Sequence, residues 1–80
     1  MASKRVRFTF EGERVGQPLI YRLGQEFALV SNIRMADVEH DFGWVVLELE
    51  GEADEIQRGI DWMQAEGVRV DPIVGDVVEG

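Results

Sequence analysis

The feature that most constrains this chain is a repeated switch of hydrophobic period. Val6, Phe8 and Phe10 alternate with Arg5, Arg7, Thr9 and Glu11, the period of a strand with one buried face. Ile20, Leu23 and Phe27 then recur at helical spacing after Pro18, a residue tolerated in a first helical turn because it lacks only an unused N–H. Two extended segments follow, Ala28 to Glu39 and Trp44 to Glu50, separated by a turn at Glu39 to Gly43. A second helix is expected from Glu52 to Ala65, with Ile56, Ile60 and Met63 as its apolar stripe. Gly67 stands where a left-handed C-terminal cap belongs. Val68, Val70 and Ile73 make a last strand, which Pro72 marks as an edge or an end.

Strand, helix, strand, strand, helix, strand is the order of a ferredoxin-like βαββαβ sandwich, an α+β fold. Right-handed crossovers place both helices on one face of a four-stranded antiparallel sheet of order 4-1-3-2 and leave the other face open. With 80 residues the chain has room for one domain, expected over residues 1–75, with a short acidic tail over 76–80. A chain of this size has a thin core, which favours association with a second copy.

The segment from Ala28 to Glu39 does not declare its phase. Leu29, Ile33 and Met35 suggest one face; Val30, Ala36 and Val38 suggest the other. A bulge reverses the phase within one strand, and it is expected near Asn32. On the open face Arg5 and Arg7 should neighbour Glu48 and Glu50, where cross-strand pairs of opposite charge contribute a few tenths to about 1 kcal/mol each. Trp44 and Val46 share that face by alternation. An exposed Trp beside a Val reads either as a surface covered by loop or tail, or as a dimer contact or ligand wall. Trp62 falls off the main helical stripe and is expected at the helix–sheet margin.

Composition removes several functions. The net charge of -8 repels nucleic acid, and the cluster Lys4, Arg5 and Arg7 reads as a solvated strand. The absence of cysteine excludes disulfides, thiolate metal sites, iron–sulfur ligation and a cysteine nucleophile. No apolar run could span a bilayer, and the start leads into a strand instead of a signal-peptide core, so a cytoplasmic location without membrane insertion is expected. The single histidine, His40, lies with Asp37, Glu39 and Asp41 in one turn, where side chains diverge, so no metal is expected. Ser31 has no base beside it in sequence, and no phosphate-cradling glycine pattern occurs. The chain is read as a binding module with no catalytic residue and no cofactor.

Several markers then fall in a specific order: Phe10, Glu11 and Gly12; Pro18, Leu19 and Ile20; Asn32 and Ile33; Phe42 and Gly43; Val46 through Gly51; Ile60 through Met63; and Gly67 through Val70. Over about Arg5 to Ile73 the chain resembles the NIL domain, named for an Asn-Ile-Leu motif in its second strand. That domain forms the C-terminal regulatory part of the ATPase subunit of bacterial methionine importers, and this chain reads as a free-standing copy of it. The resemblance implies a homodimeric domain that binds methionine or a related amino acid near the dimer interface. It places ligand-binding residues at Asn32, Ile33 and Arg34, with Trp44 and Val46 as the candidate interface.

The Asn32 amide suits an amino-acid ligand because it both donates and accepts hydrogen bonds; it also suits a bond to local backbone at a strand irregularity. The chain departs from the motif at Arg34, where the family keeps Leu. Arg34 would recognise a carboxylate or lie in solvent. The alternative function is a protein–protein adaptor that keeps the fold without the ligand and serves an unidentified protein partner.

Overall fold

The computed structural model describes residues 1–73. The expected acidic tail over 76–80, and the domain boundary at 75, lie outside the described residues.

The chain runs β1 (Ala2–Glu11), a short 3-10 helix (Gly12–Gly16), α1 (Leu19–Glu26), β2 (Val30–Val38), β3 (Phe42–Gly51), α2 (Ala53–Ala65) and β4 (Arg69–Pro72). The four strands form one antiparallel sheet in the order β2-β3-β1-β4, the expected 4-1-3-2 arrangement read from the other side. Both middle strands are ten residues long and paired along their whole length, from Ala2 opposite Gly51 to Glu11 opposite Phe42.

Alternation on this central pair builds the core. Val6, Phe8 and Phe10 on β1 lie opposite Leu47, Val45 and Gly43 on β3, and all are buried. The two Phe rings meet edge to face with centroids 6.4 Å apart. From above, α1 contributes Leu19 and Leu23, and α2 contributes Ile56, Ile60 and Met63. At eight residues, with no side-chain cap on its first turn, α1 is too short to persist alone and is held by the packing of those two leucines. Trp62 differs from its expected place at the helix–sheet margin. Its ring meets Phe27 at 6.0 Å and lies beneath the Arg22 guanidinium at 5.3 Å, so it joins the two helices instead. The reason is its position off the Ile56, Ile60 and Met63 stripe, which turns it sideways toward α1.

The expected bulge is present close to Asn32. The β2–β3 register shifts between Ile33 and Met35, at Arg34, while Asn32 stays in register with Glu48. This position keeps Ile33 on the helix side with Leu47 and brings Ala36 and Val38 to the same side, opposite Val45 and Gly43. Uninterrupted alternation would send those last two residues to the open face.

The end of α2 has the geometry expected of it. Gly67 sits at φ +93°, its N–H donates to the Gln64 carbonyl at 3.0 Å, and the Val68 N–H donates to the Met63 carbonyl at 3.1 Å. These two bonds define a Schellman cap. Arg14, from the 3-10 helix, lies across the same turn and donates from Nε to the Glu66 carbonyl at 2.7 Å. A methyl group on Gly67 would stand 2.2 Å from Arg14 Nε. Gly67→Ala therefore meets both a disfavoured φ and a displaced guanidinium. It is expected to lower stability by about 1–3 kcal/mol in chemical denaturation, with the helical circular dichroism of the folded protein retained.

Candidate functional site

The residues singled out from sequence lie on β2 and β3, and the register decides which of them share a surface. Asn32 lies opposite Glu48, and Glu48 lies opposite Arg5, so these three form a row across the open face. Met35, Val46, Arg7 and Asp71 make the next row, and Asp37, Trp44, Thr9 and Arg69 the one after. Asn32, Trp44 and Val46 thus occupy one face. Ile33 lies on the opposite, helix-facing side, and Arg34 occupies the bulge between register segments. Arg5, Arg7, Glu48 and Glu50 fall on the open face together, as alternation indicates.

Burial departs from the alternation argument. Trp44 and Val46 are half-buried, not open. They sit in the middle of the sheet, where side chains on β1 and β2 flank them. The large exposed apolar residues collect on β2: Val30 (55% exposed), Ile33 (60%), Met35 (60%) and Val38 (62%). Sequence reasoning missed this concentration. Its signal was the undecided phase of the segment, since a strand with apolar residues on both sides has no single face to bury.

Two depressions flank this region. On the open face, a cavity of about 400 Å³ is lined by Trp44, Phe42, Arg7, Thr9, Glu11, Arg69 and Asp71. Arg69 Nε and Asp71 Oδ2 are 3.0 Å apart within it. On the helix side, a cavity of about 190 Å³ lies between the start of α1 and the paired ends of β2 and β3, with Phe10, Leu19, Val38 and Val45 in its walls. Asn32 lines neither cavity. Among the described residues no three His, Asp or Glu side chains converge as metal ligands do, and no helix is long and apolar enough to cross a membrane.

The approach to β2 is tied down from α2. Glu55 accepts a hydrogen bond from the Ala28 N–H at 2.9 Å through one carboxylate oxygen, and the other oxygen meets the Arg58 guanidinium. Behind this link, Gly51 has no side chain; a Cβ there would lie 2.8 Å from Leu29 Cδ2 and 2.9 Å from the Ala28 carbonyl. The Ala28–Leu29 segment thus settles onto the sheet and fixes where β2 begins. The Ala28 N–H lowers the Glu55 pKa below the ordinary carboxylate value, with a further contribution from Arg58.

A family model described as the NIL domain matches residues 4–72. The methionine import ATP-binding protein MetN of Halalkalibacterium halodurans is 32% identical over 74 residues, covering 88% of this chain and 22% of that protein. The protein of the same name from Lacticaseibacillus paracasei is 27% identical over 73 residues, covering 86% of this chain and 21% of the relative. The chain therefore spans about a fifth of the length of these relatives. Among solved structures, the C-terminal domain of an ABC transporter ATP-binding protein from Enterococcus faecalis superposes with a TM-score of 0.76 at 22% identity, over 88% of this chain and 82% of that one. A de novo designed protein, Foldit4, shares the fold at a TM-score of 0.57 and 13% identity, over 89% of this chain and 91% of the design.

The lowered Glu55 pKa makes the Ala28 anchor pH-sensitive. The folded form holds this proton less tightly than the unfolded chain does. The contact therefore adds stability above the ordinary carboxylate range and loses it as pH falls through the lowered folded value. Denaturation midpoints followed from about pH 6 to about pH 3 are expected to fall less steeply in Glu55→Gln than in the unsubstituted chain, with the two curves converging at the acid end.

Proposed function

This chain belongs to the NIL domain family, and on that premise we propose that it is a regulatory, non-catalytic domain that binds an amino acid, methionine or a close sulfur-containing relative, as a homodimer. The observation that carries this reading is the family match over residues 4–72, nearly the whole described chain, together with relatives named for methionine import. Asn32 supports it from the chemistry side. The residue is exposed on a strand at the sheet edge, and its amide offers both a donor and an acceptor to a zwitterion. The relatives are named as ATP-binding proteins of methionine import, so the cytoplasmic side of a transporter is the setting proposed for the domain.

A second reading is an adaptor that binds protein in place of a small molecule. One observation favours it: Arg34, where the family motif keeps an apolar residue, is exposed at the bulge, and an apolar ligand side chain gains nothing from a guanidinium there.

Titration calorimetry separates the two readings. L-Methionine and a panel of other amino acids are titrated into the 80-residue chain up to millimolar concentration. Sensing predicts saturable heat for a sulfur amino acid and a loss of about tenfold to a hundredfold in affinity for Asn32→Ala, the cost of leaving a charged ligand group without its partner. The absence of both heat and amide chemical-shift changes at millimolar ligand would remove the sensing function.

A further inference from the structure

We infer that the open face carries a small-molecule site of its own, centred on Thr9, which takes a flat aromatic ring bearing one carboxylate. Asn32 does not line this cavity, so the site goes beyond the amino-acid binding of the proposed function and does not rest on it.

The cavity follows from the register. Thr9 is short, and long side chains surround it on the same face. Arg7 and Glu11 precede and follow it along β1 at two-residue spacing, Trp44 lies directly across on β3, and Arg69 lies directly across on β4. Phe42 and Asp71 stand at the diagonals, opposite Glu11 and Arg7. Strands about 4.8 Å apart put roughly 10 Å between the backbones that carry Trp44 and Arg69, with only the threonine side chain between them. The result is the cavity of about 400 Å³, a size typical of small-ligand sites.

The lining selects the ligand. Trp44 is half-buried and Phe42 is 42% exposed, so two aromatic side chains on one side of the cavity keep ring surface in contact with solvent. Another ring covers such surface well, in an offset or edge-to-face arrangement. The other side is cationic. Asp71 Oδ2 holds Arg69 Nε at 3.0 Å, which fixes the guanidinium and leaves its terminal amino groups for a further acceptor. Arg7 is exposed and makes no ion pair among the described residues. A carboxylate accepts two parallel N–H bonds from a guanidinium fork. The acidic margin limits the charge of the ligand. Glu11 lines the cavity, Asp37 lies across from Trp44 on β2, and the chain carries a net charge of -8. A nucleotide or a nucleic acid, with several phosphate charges, meets more repulsion there than a single carboxylate does.

Titration of the 80-residue chain with indole-3-carboxylate, read by calorimetry and by amide chemical shifts, tests the site. Saturable binding is expected, with the shifts centred on Thr9, Trp44 and Arg69. Indole, which lacks the carboxylate, and cyclohexanecarboxylate, which lacks the flat ring, are each expected to bind at least about tenfold more weakly. Arg7→Gln, at an exposed position, is expected to lower affinity for the probe about tenfold. Thr9→Phe fills the cavity while leaving Trp44 and both arginines in place. It is expected to abolish binding with unchanged circular dichroism, since phenylalanine is well accepted in strands.

The absence of heat and of shifts at millimolar probe overturns the site. Binding that both Thr9→Phe and Arg7→Gln leave unchanged overturns it as well, as do shifts confined to Asn32, Ile33 and Arg34. Adenosine monophosphate binding more tightly than the probe overturns the ligand class. L-Methionine is then titrated into the probe-saturated chain. Displacement of the probe merges the two sites and overturns a separate one; heat of methionine binding unchanged by the probe supports it. Failure of L-methionine to bind at all removes the amino-acid reading and leaves this site standing.

Discussion

The structure depends on the pairing of β1 with β3. These two strands occupy the centre of the sheet and run antiparallel without interruption over ten residues each, and their inward residues supply half of the buried core. Every other element is placed by reference to them. The helices pack on their buried side, β4 adds to β1, and β2 adds to β3. In a domain this small the core has little redundancy, so the ladder and the apolar layer it presents form one unit.

Away from this centre the chain uses specific local contacts to hold what the core cannot. Arg14 reaches from the 3-10 helix to the carbonyl end of α2 and closes the turn around Gly67. Glu55 reaches from α2 to the backbone that leads into β2. Trp62 joins the helices through Phe27 and Arg22. Each contact links segments far apart in sequence. The positions of the strand ends, and so of the residues they carry, are set by these contacts as much as by the ladder.

The residues proposed to bind the amino acid sit on the least buried strand. Asn32 and Arg34 belong to an edge whose backbone is paired on one side, next to a bulge that rotates the rest of the strand. Such a strand can take a ligand, a second copy or both without disturbing the core, because few of its side chains contribute to it. This separation allows a scaffold of one type to serve regulation: the core specifies the fold, and the edge is free to vary. The replacement of an apolar motif residue by Arg34 is a change of that kind.

The Gly67 cap and the face shared by Arg5, Arg7, Glu48 and Glu50 are legible in the residues because they follow from short-range periodicity or local stereochemistry, and the class of the fold and its strand order are legible because the order of elements and the handedness of crossovers leave few alternatives. The NIL resemblance was also legible, since the markers depend on order and spacing. Only the tertiary structure decided where β2 changes phase, that Ile33 lies on the opposite face from Asn32, that Trp44 and Val46 are half-buried, and that the exposed apolar surface runs along β2. The physical reason is that an edge strand takes its register from its single neighbour. With apolar residues on both sides, the pattern along β2 is satisfied equally by either phase, and its pairing with β3 breaks the tie.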